Sequence, residues 1–178
     1  MMTHIAQLQP WIGYENTLLI TCHECTFDFS QRDREHVFVY TCLGGMLRKD
    51  DHFQQDCIRH YLEDKACSQI ILVGHYECQV LQKILSESFV PASQAFFQYN
   101  MEGLQRAYAQ PLLKPRVKNR LLAELNVVEQ LRLLMRFTCV QEKLHEGLIN
   151  ISGVMLDRHA VREVFRNGIS FNNLMACN

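Results

Sequence analysis

Cys22-His23-Glu24-Cys25 sets four potential metal ligands or nucleophiles in consecutive positions, and much later in the chain Gly74 is followed by the H-x-x-C pair His75 and Cys78. Thiolate and imidazole are donors that zinc prefers, so Cys22, His75 and Cys78 make a Cys2His set with one position unassigned. A lone H-x-x-C is more often a buried cysteine near a hydrogen-bonded histidine; Cys22 at a second strand end shifts the balance to metal. Alternate residues of an extended chain share a side, so Glu24 follows Cys22 toward the metal or its water, and His23 and Cys25 face away. Two rival readings use the same residues. A thioredoxin-like redox pair needs Cys22 to Cys25 to open a helix, for which Thr26-Phe27-Asp28-Phe29 is a poor start. A closed Cys3His structural site would recruit Cys25 and leave no room for water.

Positioning such a set takes strands that end together. Three apolar runs, Thr17–Thr21, Val37–Thr41 and Gln69–Val73, have the continuous hydrophobicity of strands buried on both faces, the pattern of a parallel sheet covered by helices. Between the second and third, Phe53, Cys57, Ile58, Tyr61 and Leu62 recur at helical spacing and complete a βαβ crossover. A second helical stretch of two or three units covers Leu121–His145, and Leu148–Leu156 with Val161–Phe165 reads as a hairpin. The expected architecture is α/β: a single domain over residues 1–178, with a mostly parallel central sheet flanked by helices and a C-terminal hairpin at its edge. Cys22, the segment Cys42-Leu43-Gly44-Gly45 and the segment Gly74–Cys78 follow three successive strands. Ligands of open α/β sheets bind just beyond such carboxyl ends, so all three converge on one place. A helix beginning at Tyr76 or Glu77 would hold Cys78 within a turn of His75.

Composition narrows the function classes. Eighteen Lys and Arg against 19 Asp and Glu leave a net charge of -1, so no overall field favours nucleic acid or an anionic membrane. The basic run Lys114, Arg116, Lys118, Arg120 reads as a solvated loop or helix start. No segment approaches the ~20 apolar residues of a membrane span, and the N-terminus lacks the pattern of a secretory signal, so a cytoplasmic protein is expected. Eight cysteines in a reducing compartment are then small buried hydrophobes or metal ligands; Cys57, Cys67, Cys139 and Cys177 each stand alone and belong to the first class. The aromatic stretch Phe89, Phe96, Phe97, Tyr99 reads as core packing, or as an apolar entrance to the site.

These residues carry a resemblance. IILVGHYECQVL (residues 70–81) resembles the β-class carbonic anhydrase segment in which an apolar strand runs into G-H-x-x-C-G, and LLITCHECTF (18–27) resembles that family's strand followed by C-x-D-S-R. VFVYTCLGGML (37–47) resembles its F-V-x-R-N-A-G-N, LNVVEQLRLL (125–134) its helix beginning N-V, and LHEGLINISGVMLDRHAVREVF (144–165) its terminal hairpin. The resemblance implies a zinc lyase that reversibly hydrates carbon dioxide to bicarbonate with hydroxide generated at the metal. It makes Cys22, His75 and Cys78 the Zn2+ ligands, and puts Glu24 at the place of the family's Asp as catalytic carboxylate or fourth ligand. Cys25, Thr26, Thr41 and Gly44 are expected around the metal or along the substrate pocket, with Thr26 at the position of the Arg that restrains the Asp. Arg32 and Arg34 are the nearby guanidinium candidates to replace it. The alternative is a repurposed relative with a closed zinc site that serves binding or assembly. A homodimer or higher homo-oligomer is expected, with the hairpin pairing across a two-fold axis.

Overall fold

The computed structural model describes residues 2–4, 7–85, 115–157 and 160–166; the stretch Phe89–Tyr99, Lys114 and Cys177 lie outside them. Among the described residues, seven strands occur in order: β1 (Met2–His4), β2 (Thr17–Cys22), β3 (Thr26–Asp28), β4 (Val37–Cys42), β5 (Gln69–His75), β6 (Asn150–Leu156) and β7 (Val161–Arg166). The helices are α1 (Asp33–His36), α2 (His52–Glu63), α3 (Gln79–Leu85), α4 (Pro115–Leu134) and α5 (Thr138–His145). The central sheet runs β4-β2-β5-β6-β7, parallel throughout except for β7, which pairs antiparallel to β6 as the edge hairpin. β1 and β3 form a separate parallel pair. The α/β architecture and terminal hairpin expected from the sequence are both present.

Every residue of β2 is buried, and so are six of the seven in β6. This is why their apolar runs are continuous: a central parallel strand meets side chains on both faces. Leu18, Ile20, Ile70, Leu72 and Ile151 are essentially inaccessible to solvent at the centre of the core. α4 lies unusually close to the sheet. A Cβ on Gly74 would sit 2.4 Å from Val127 Cγ2, and one on Gly153 would sit 2.6 Å from Leu131 Cδ1, so both strands carry glycine where the helix crosses. Among the described residues, no helix is long and apolar enough to cross a membrane.

α2 begins where Asp51 accepts a hydrogen bond from the Gln54 N–H at 3.1 Å, an N-cap that satisfies one orphan donor of the first turn. Its buried face is Gln54, Ile58 and Leu62, whereas Phe53 is 75% exposed. The spacing had put Phe53 on the apolar face; Gln54 takes the inward position because its Oε1 accepts the Arg48 N–H at 2.7 Å. Of the basic run, Arg116, Lys118 and Arg120 lie in α4.

Candidate metal centre

The three ligand-bearing strand ends meet because β2 lies between β4 and β5, with Cys22 opposite Cys42 in one ladder. His75 is the last residue of β5, and the ladder continues that far because β6 supplies Met155 and Leu156 as partners for Gly74 and His75. Consequently no helix begins at Tyr76 or Glu77. Those residues turn the chain, Cys78 follows, and α3 starts at Gln79.

After Cys22 the chain likewise turns instead of staying extended, with the Cys25 N–H donating to the Cys22 carbonyl at 2.9 Å. This turn, rather than strand alternation, carries Glu24 inward. It also buries Cys25 beside His75, contrary to the expectation that Cys25 faces away. His23 is exposed, with Nδ1 3.7 Å from Cys22 Sγ.

One ligand atom from each of Cys22, Glu24, His75 and Cys78 lies within 4.8 Å of all the others. The two sulfurs are 3.8 Å apart, and His75 Nε2 is 3.7 Å from Glu24 Oε2. His75 is 4% exposed, and neither ring nitrogen has a hydrogen-bond partner. Buried imidazole nitrogens left unbonded are costly, and a cation in the cluster would satisfy Nε2. The donor set fits a metal ion.

Electrostatics agree. The Cys78 thiol donating to Cys22, opposed by burial and helped by His75, lowers the Cys22 pKa to about 4, and the same pairing raises that of Cys78. Burial disfavours charge on His75, but the Cys22 and Cys25 sulfurs outweigh it and raise its pKa to about 10. Cys42, behind the pair, is pushed up to about 12 chiefly by burial, and stays a neutral thiol.

Of the surrounding residues singled out from sequence, Thr26 and Thr41 are exposed strand residues. Gly44 is buried at φ 66°, where a Cβ would meet Met46 Cε at 2.9 Å. Arg32 lies over the Tyr14 ring, 4.9 Å from its centroid, and Arg34 is exposed on α1. Among the described residues no guanidinium reaches Glu24. Its carboxylate is held instead by the Gln79 N–H, at 3.0 Å to Oε2. Sequence reasoning missed this donor, because a main-chain group has no letter. It also missed Asn126 and Gln130, buried polar residues one turn apart on α4. Asn126 Nδ2 donates to the Gly44 carbonyl at 3.1 Å, and Gln130 Oε1 accepts from the Leu47 N–H at 2.7 Å, so the pair fixes the loop after β4. Two amides spaced i, i+4 within an apolar stripe were the available signal.

The carbonic anhydrase family profile matches residues 17–162, most of the chain and all four clustered donors. The chain belongs to the β-carbonic anhydrase family. Solved β-carbonic anhydrases share its fold. One of the tetrameric enzymes from Sordaria macrospora superposes with a TM-score of 0.69 at 17% identity, over 86% of this chain and 82% of that one. The Coccomyxa enzyme in complex with acetazolamide gives 0.69 at 17% identity, over 84% and 72%. A wild-type enzyme of Aspergillus fumigatus gives 0.63 at 23% identity, over 81% and 84%. No curated protein matches the sequence.

Proposed function

We propose that the protein is a zinc-dependent carbonate dehydratase that reversibly converts carbon dioxide and water to bicarbonate. Cys22, His75 and Cys78 would hold the zinc, and Glu24 would stand beside the fourth position. The observation that carries this reading is the separation of the two sulfurs. Two thiolates bound to one tetrahedral zinc at ~2.3 Å lie about 3.8 Å apart, and Cys22 and Cys78 are already 3.8 Å apart. Zinc in this site would supply the Lewis acidity that makes water a nucleophile at neutral pH.

The chain's own residues do the rest. The ends of β2 and β5 fix Cys22 and His75, the turn after β5 carries Cys78, and Glu24, tied by one oxygen to Gln79, presents its carboxylate to accept a hydrogen bond from the reacting water and orient it. Glu24 has one methylene more reach than Asp, and the Gln79 N–H restrains that reach. Carbon dioxide and bicarbonate are the proposed substrate and product, and a homo-oligomer joined through the β7 edge is the proposed assembly.

A second reading has its own support. The Glu24 oxygen is within ligand range of the other three donors, so the carboxylate can close the site and leave a protein for binding or assembly. Stopped-flow carbon dioxide hydration on protein of verified zinc content, with Cys78→Ser as metal-site control, separates the two. A zinc-dependent rate well above buffer supports the enzyme. One tightly held zinc per chain with no rate supports the closed site.

A further inference from the structure

Tyr76 stands between His75 and Cys78, and its side chain is gripped from outside the turn. Arg120 Cζ lies 3.9 Å from the centroid of the Tyr76 ring, and Tyr76 Oη donates to Glu124 Oε1 at 2.6 Å. Arg120 and Glu124 are four residues apart on α4, so they project from one face of it. Each also reaches the terminal hairpin. Arg120 Nη2 is 3.1 Å from Asp157 Oδ2, just after β6, and Arg162 Nη1 of β7 donates to Glu124 Oε1 at 3.2 Å. Two parallel bridges thus run from the hairpin through α4 to one tyrosine ring.

We infer that Arg120 and Glu124 are positioning residues for the metal centre: acting on Tyr76, they hold the turn that carries Cys78 and join it to the C-terminal hairpin. The inference rests on the proposed metal role of Cys22, His75 and Cys78. His75 is locked into the β5 ladder by its pairing with Leu156, but Cys78 lies outside any strand, between the Tyr76-Glu77 turn and the start of α3. The placement of its sulfur therefore depends on what steadies the turn. Exposed ion pairs contribute little to global stability, and Arg162 is 67% exposed, so the effect of these bridges is local. The Tyr76–Glu124 bond is the stronger element, being part-buried, short and charge-assisted.

The test is the rate at which zinc-loaded protein yields its metal to a chromophoric chelator, with the visible spectrum of the cobalt form as a second readout. Tyr76→Phe removes the donor and Glu124→Ala the acceptor of the bond, and circular dichroism checks that each keeps the fold. Each should release zinc about 10-fold faster, in the range seen when groups supporting a metal ligand are lost. The double variant should be no faster than the worse single one, and the cobalt bands should shift alike in all three. Glu129→Gln, which breaks the unrelated Arg132 pair on the same helix, should leave the rate unchanged. Wild-type release rates in both single variants, or rates that multiply in the double, would overturn the inference while Cys78→Ser still lost the metal. Retention of zinc by Cys78→Ser would instead overturn the site itself.

Discussion

The Gln79 N–H and the Glu24 carboxylate, 55 positions apart in sequence, form a 3.0 Å hydrogen bond at the edge of the metal centre. The bonded oxygen, Oε2, is the one that lies 3.7 Å from His75 Nε2, so the main chain holds the atom that a metal in the cluster would compete for. Proline is well tolerated at the first helical position, which Gln79 occupies, so Gln79→Pro deletes the donor and spares the helix. Glu24 should then swing onto the metal. A hydrogen bond to a charged group contributes about 1.5–3 kcal/mol, so azide binding to the cobalt form should weaken about tenfold or more. Gln79→Ala, which keeps the N–H, should bind azide normally, and adding Glu24→Ala to the proline variant should restore binding. Equal azide affinity in the wild type and Gln79→Pro would show that the bond restrains nothing.

Metal uptake should be steeply pH-dependent. With Cys22 lowered to about 4, Cys78 raised and His75 raised to about 10, the metal-free site at neutral pH holds one thiolate, one thiol and one imidazolium. All three must be deprotonated to bind a cation. The sign follows: about two protons leave per metal bound, and affinity rises with pH from above the Cys22 value toward the His75 value. Calorimetry of zinc binding in buffers of different ionisation enthalpy counts those protons. A count near zero would mean that the pair is not poised in this way.

Asn126→Ala should destabilise the fold by about 1–3 kcal/mol, because the buried Gly44 carbonyl loses its donor. Gln130→Ala should cost a similar amount by removing the side-chain acceptor of the Leu47 N–H. Gln130 Nε2 also donates to Asn126 Oδ1 at 3.3 Å, so the two effects should fall short of adding. Urea denaturation of the single and double variants measures the shortfall.

Gly74→Ala puts a carbon 2.4 Å from Val127 Cγ2 and 2.6 Å from Met155 Sδ. Overpacking of this kind costs roughly 1–3 kcal/mol. Val127→Ala in the same chain should recover part of the loss, by removing the nearest clash. Thermal unfolding of the pair against each single change reads the coupling.

The sheet was legible because β2 and β5 are buried on both faces, so burial left a continuous apolar signature from Thr17 and from Gln69 onward; β4 carries a similar run, but as the edge strand it buries only Val37, against the expectation that it is covered on both sides. Cys22, His75 and Cys78 were legible as a group through the rule that open α/β sheets bind at strand ends. Glu24 was named on a wrong premise: the bond from Cys25 to the Cys22 carbonyl makes the segment a turn, and short-range hydrogen bonding of that kind leaves no periodicity to read. The start of α3 was misplaced because the pairing of His75 with Leu156, a long-range contact, decides how far β5 runs. Phe53 was misassigned because a neighbouring side-chain amide, not hydrophobicity, set the inward face of α2. Tyr76 offered no cue, since its partners come from α4.

The two sulfurs of the cluster lie 56 positions apart, one at the end of β2 and the other in the turn that follows its neighbour β5, and a crossover through β4 and α2 separates them. The four clustered donors come from both ends of that crossover, so this cluster exists only once β5 has docked beside β2. Long-range parallel pairing is among the slower steps of folding, since loop closure must precede any reward. A metal held by these donors would therefore be captured late and act as a latch: an ion that binds only the finished sheet draws the population toward it by mass action. The supply of that ion would then set how much of the chain persists as folded protein, before any question of turnover arises.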